Sequence, residues 1–211
     1  MHTPLAQKHG QQEAADKVVD PSAYRSIVGS LHYLTLTRPD TTHAVNLASQ
    51  FMQNPNSMHL QAVKRIIRYV KRTIDHGLRI ISQSSFRLYG FSYADWAGCT
   101  ITKRSTTRYC IHLGANCVSW SSRKQNTVAR SSAEAEYRAL AATAIELTWI
   151  SYILQDIGMY IKIAPNLFCD NVSALYMTTN PVMHGRTKHV ETRLPLCQRE
   201  GSSRTIDYSV C

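Results

Sequence analysis

No apolar run in the 211-residue chain reaches the roughly 18 to 20 residues that a bilayer-spanning helix requires. The N-terminus, Met-His-Thr-Pro-Leu-Ala-Gln-Lys, has no apolar signal-peptide core. These two absences predict a soluble intracellular protein, in a cytoplasmic particle or the nucleus, with no membrane partner. No Cys-x-x-Cys pair occurs among the six cysteines and the nine histidines are scattered, so the ligand spacing of a zinc site is missing. The thiols are expected to be reduced, several of them in the core. Internal repeats and low-complexity tracts are also absent. Acids are scarce: 14 Asp and Glu stand against 24 Lys and Arg, a formal charge of +10. That balance favours a polyanionic partner such as nucleic acid, although an anionic membrane surface would satisfy it too.

What is present is ordinary globular material. A 44% hydrophobic content over this length supports one full-sized domain plus a smaller appendage. Residues 1–20 are polar and end in Val-Val-Asp-Pro, an extended lead-in. Pro21 then opens a helical pattern in which Tyr24, Ile27, Val28, Leu31 and Leu34 recur three and four apart. A second helical pattern starts at Pro39-Asp40 and is broken by Asn54-Pro55-Asn56. A third covers about residues 57–72, with Leu60, Val63, Ile66, Ile67 and Val70 inward. Its other side carries Lys64, Arg65, Arg68, Lys71 and Arg72. This basic stripe reads as a solvated face or as a clamp on a nucleic-acid backbone, where neutralised phosphates release counterions, and only third as a membrane contact, because the apolar face is better explained by the other two helices.

The character changes after residue 77. Arg-Leu-Tyr-Gly-Phe-Ser-Tyr-Ala-Asp at 87–95 is a buried strand pattern that stops on Asp95. Alternating Tyr109, Ile111 and Leu113, a turn at Gly114-Ala115-Asn116 and then Cys-Val-Ser-Trp at 117–120 complete an antiparallel meander. Ser131 and Ser132 cap a long helix that stops at Gly158. On its 3.6-residue period Glu136 shares a stripe with Leu140, Leu147 and Leu154 and points inward. Glu134, about 200° away, reads as part of the cap. Asn-Leu-Phe-Cys-Asp at 166–170 is a second strand ending in an acid, and Asn171 begins a short helix. If the two acid-terminated strands lie parallel, Asp95 and Asp170 meet at their carboxyl ends, where open α/β sheets place their sites. Three converging carboxylates without basic partners repel unless a cation sits among them. Oxygen-only ligands point to Mg²⁺ or Mn²⁺. His-Gly-Arg-Thr-Lys-His at 184–189 is a compact basic loop whose histidines read either as solvated or as phosphate contacts or proton handlers beside the metal site. From Arg193 onward no element is expected.

Five motifs taken together, in this order and spacing, resemble the ribonuclease H domain of copia-type retrotransposon Pol polyproteins. They are Tyr-Ala-Asp-Trp-Ala-Gly at 93–98, Val-Ser-Trp-Ser-Ser-Arg-Lys-Gln at 118–125, Arg-Ser-Ser-Ala-Glu-Ala-Glu-Tyr-Arg-Ala-Leu at 130–140, Cys-Asp-Asn at 169–171 and His-Gly-Arg-Thr-Lys-His-Val-Glu at 184–191. The segment Tyr24 to Asp40 is similar to the stretch that follows the reverse transcriptase palm in those polyproteins. The resemblance implies an α/β fold, a ribonuclease H-like mixed sheet with flanking helices, preceded by a small helical subdomain. It divides the chain into a lead-in at 1–20, a reverse-transcriptase-derived helical segment at 21–76, a ribonuclease H-like domain at 87–191 and an irregular tail at 192–211.

For function, the resemblance implies metal-dependent hydrolysis of the RNA strand of RNA·DNA hybrids. Asp95, Glu136 and Asp170 would hold two Mg²⁺ or Mn²⁺ ions about 3.5 to 4 Å apart. Lys64, Arg68, Lys71, Arg72, Arg186 and Lys188 are the expected nucleic-acid contacts, and the remainder of a Pol polyprotein is the other expected partner. The chain also departs from the family. The fourth carboxylate, carried by an Ala-Asp-Ile-Phe-Thr-Lys-like stretch, is missing, and Asp207 has no matching context. Pro195 interrupts the helix expected after His189, which implies a shortened or decayed C-terminus. The Tyr-x-Asp-Asp signature of the polymerase is missing as well. The alternative expectation is therefore a catalytically impaired remnant that binds nucleic acid.

Overall fold

The computed structural model describes residues 3–5, 19–99 and 101–179, and the backbone of 205–207. The chain divides into two compact units, Met1–Arg79 and Ile80–Cys211. Among the described residues no helix is long and apolar enough to cross a membrane.

The first unit is helical. α1 (Pro21–Leu34) starts where Asp20 accepts the Ser22 and Ala23 amides, with Pro21 in the first turn, which needs no N–H there. A 3-10 turn at Pro39–Thr41 leads into α2 (Thr42–Ser49). α3 (Ser57–Arg72) is capped reciprocally: Asn56 accepts the His59 amide and the His59 ring accepts the Asn56 amide. The three helices bury Tyr24, Val28, Val45, Val63 and Ile66 in one core, and the Tyr24 hydroxyl donates to the Ala48 carbonyl at 2.9 Å. Beneath them lies a buried guanidinium. Arg38 forms a bidentate pair with Asp40 at 2.8 and 2.9 Å and donates to the Thr73 carbonyl, while the Tyr69 hydroxyl also donates to Asp40. Desolvating Arg38 is tolerable because its donors are used.

The second unit is α/β. β1 (Leu88–Asp95), β2 (Thr106–Leu113) and β3 (Asn116–Lys124) form the antiparallel meander. α4 (Ser132–Asp156) crosses over to β4 (Asn166–Cys169), which lies parallel to β1, and α5 (Val172–Thr179) follows. The result is an open mixed sheet of four strands, β3-β2-β1-β4, compatible with a ribonuclease H-like domain. A three-residue strand, β5 (Thr205–Asp207), adds antiparallel to β4 in a stretch where no element was expected from the sequence.

α4 covers one face of the sheet, packing Leu140, Ala144 and Leu147 on Leu88, Ile111 and Leu167. Gly90 permits this approach, since a Cβ there would stand 3.1 Å from Thr143 Cγ2. The opposite face carries Tyr89 stacked on His112 and Phe91 stacked on Phe168, the two pairs nearly perpendicular to each other.

Candidate metal centre

The site grows from the parallel pairing of β1 and β4. Their register matches Ser92 with Cys169, and Asp170 is the next residue after β4. α4 approaches the same edge from its covered face. Ser131 accepts the Glu134 amide, and Glu134 accepts both the Arg130 amide at 2.7 Å and the Arg138 guanidinium at 2.7 Å. Glu134 is thereby consumed in the cap and its ion pair, as its helical phase suggested. One half-turn on, Glu136 is 4% exposed and its carboxylate accepts the Ala94 amide at 2.9 Å.

The Glu136 and Asp170 carboxylates and the Cys169 sulfur offer ligand atoms that all lie within 4.8 Å of one another. Burial raises the Glu136 pKa and the nearby Asp170 charge adds to that, against the lowering effects of the Ala94 amide and the Cys169 thiol. Burial pushes the Cys169 thiol up to about 11, so at neutral pH it is protonated and donates to Glu136. A protonated thiol is a poor ligand, which leaves two oxygen donors. A buried carboxylate and an exposed one this close suit a hard divalent cation, Mg²⁺ or Mn²⁺, which would relieve their repulsion. The donor set therefore fits one such ion; it does not by itself supply the ligands for two.

Asp95 is not a member of this group. Continuing the β1 to β4 register by one residue brings Tyr93 opposite Asp170. Asp95 lies two residues further along β1, about 6.6 Å at the usual strand rise. Its carboxylate is 3.6 Å from the Arg108 guanidinium and lies over Gly98, where a Cβ would require the Asp95 side chain to move. Arg108 also stacks over the Tyr93 ring at 5.7 Å. The structure thus brings Glu136 and Asp170 together and leaves Asp95 with a cation on the neighbouring strand. Tyr93 and Cys169 were not singled out from the sequence; finding them requires the pairing register of strands more than seventy residues apart.

On the first unit, Lys64, Arg68, Lys71 and Arg72 are all exposed on the side of α3 away from Val63 and Ile66. Arg186 and Lys188 lie outside the described residues. A cleft of about 290 Å³, lined by Arg87, Tyr89, Phe91, Asn166 and Phe168 among others, opens at the other end of the sheet from the acids.

Over 174 residues the chain is 48% identical to the retrovirus-related Pol polyprotein from transposon RE1 of Arabidopsis thaliana, a match that covers 82% of this chain and 12% of the relative. It is 39% identical over 171 residues to the corresponding polyprotein from transposon TNT 1-94 of Nicotiana tabacum, covering 81% of this chain and 13% of the relative. An uncharacterized mitochondrial protein of Arabidopsis thaliana is 54% identical over 151 residues, covering 72% of this chain and 63% of that protein. The chain thus spans about an eighth of the Pol polyproteins it matches. No family profile and no solved structure matches it.

Proposed function

Because the chain belongs to the retrovirus-related Pol polyproteins of copia-type transposons and corresponds to one segment of them, we propose that its second unit is a ribonuclease H-type nuclease module acting on RNA·DNA hybrids within a reverse-transcription apparatus. The observation that supports this reading is the convergence of Glu136 and Asp170 at the carboxyl edge of two parallel strands, on an otherwise cation-rich protein.

In this reading Glu136 and Asp170 hold the divalent cation. When bound, that ion supplies an activated water and charge stabilisation for the departing 3′ oxygen. The Ala94 amide and the α4 packing keep the Glu136 carboxylate aimed at the edge, so the donor is preorganised before substrate arrives. Asp95 is the third acid of the edge and joins the other two once the scissile strand draws Arg108 away. Arg108 is a donor for the anionic backbone in that exchange. Recognition of the hybrid rests on its 2′-hydroxyls and backbone, not on base sequence. The α3 cations, and Arg186 and Lys188, add backbone contacts that weaken with salt.

One observation favours a second reading, nucleic-acid binding without cleavage: Asp95 is engaged by Arg108 and stands outside the group of acids. The two separate in one assay. A labelled hybrid incubated with the purified chain and Mn²⁺ should be shortened in its RNA strand, with no cleavage in EDTA or with Glu136→Gln. Intact RNA together with retained, salt-dependent binding would overturn the nuclease reading and leave the second standing.

A further inference from the structure

α4 is apolar on both sides, and only one side is used by the sheet. Leu140, Leu147 and Leu154 face the core, whereas Ile145, Trp149 and Tyr152 on the opposite side are 56%, 59% and 48% exposed. A helix that is hydrophobic all round is ordinarily buried all round, and three large apolar residues in one exposed stripe mark a docking surface. At about 100° per residue the stripe runs Arg138, Ala142, Ile145, Trp149, Tyr152, Asp156. It carries a cation at one end, Arg138 with 19% of its side chain exposed, an exposed anion at the other, and a half-buried small residue placed symmetrically to a large exposed one.

That pattern selects its partner. We propose that the outward face of α4 pairs with the same face of a second copy of this chain, antiparallel, about a two-fold axis at the level of Leu147. In that register Ile145 meets Trp149 of the second copy, Ala142 receives its Tyr152, and Arg138 faces its Asp156. Each contact occurs twice, as an isologous interface demands. Parallel pairing would set Arg138 against Arg138, Asp156 against Asp156 and Trp149 against Trp149, so charge and size both reject it. Arg138 already pairs with Glu134 at 2.7 Å, and the new contact makes it a bridge between two acids. The inference does not depend on the nuclease reading, because none of these residues touches the acid edge.

Sedimentation velocity of the full chain across the micromolar range tests the association. A reversible dimer is expected, with Trp149→Glu weakening it by about tenfold or more, since a central tryptophan is the usual anchor of such a contact. Ile145→Lys serves as a second variant should Trp149→Glu fail to fold. Register is tested by mixing Ala142→Cys with Tyr152→Cys chains, treating with a short bis-maleimide and mapping the linked peptides. Linkage between 142 and 152 of different copies is expected. A monomer at every concentration, which would leave the face to another protein segment, or linkage of 142 to 142, overturns the proposal.

Discussion

The Glu136 carboxylate accepts the Ala94 amide at 2.9 Å, so a residue on the second turn of α4 is tied to β1 at the residue before Asp95. This bond explains why Glu136 tolerates burial and why its carboxyl group lies at the strand ends instead of under the sheet. It also fixes one acid independently of the others. Asp170 joins Glu136 because β4 ends there, whereas Asp95 has found Arg108.

Arg108→Ala probes the same edge from the other side. Releasing Asp95 is expected to increase hybrid cleavage at saturating Mn²⁺ while weakening hybrid binding, because Arg108 restrains the acid and also attracts the backbone. Single-turnover rates and binding curves separate the two effects. A loss of both would assign Arg108 a purely positive role.

The Arg38–Asp40 pair in the first unit sets an acid limit on stability. The Asp40 pKa is lowered, first by its hydrogen bonds from Arg38, against an opposing effect of burial. A folded pKa below the unfolded value means that the stabilisation is complete above the ordinary Asp range and is lost as pH falls through the lowered value. Asp40→Asn should therefore destabilise the helical unit at neutral pH by roughly 2 to 3 kcal/mol. That is below the figure for a fully buried pair because Asp40 is 36% exposed. The difference between wild type and variant should shrink below about pH 4, which denaturant melts across pH would show.

Cys99 and Cys169 should differ sharply as nucleophiles. Burial raises the Cys99 pKa, but hydrogen bonds from Thr102, Lys124 and Ile101 outweigh it and bring the thiol down to about 6. The Lys124 ammonium is 3.1 Å from its sulfur. At pH 7 Cys99 is thus largely thiolate, while Cys169, at about 11, is not. Peptide mapping after brief iodoacetamide treatment is expected to find Cys99 modified and Cys169 untouched, and Lys124→Met should slow the reaction at Cys99. Equal labelling of the two would contradict this.

Much of the fold was legible because its patterns are local. The spacing of Tyr24, Val28 and Leu31 marks α1, alternation of Tyr109, Ile111 and Leu113 marks β2, and helical phase alone separates Glu136 from Glu134. Cross-strand relationships were not legible. Asp95 ends β1 and Asp170 directly follows β4, but strand ends coincide only when the register makes them do so, and here β1 outruns β4. Nor does any periodicity indicate that Arg108, on an antiparallel neighbour, comes within 3.6 Å of Asp95. The pairing of 205–207 with β4 is equally non-local, since three residues carry no period of their own.

Calorimetric titration with Mn²⁺ tests most directly whether the acid edge is a metal centre. The account predicts saturable binding of one ion to the wild-type chain, lost in Glu136→Gln and in Asp170→Asn and retained in Asp95→Asn. Absence of saturable binding in the wild type, or binding that survives Glu136→Gln, would contradict it.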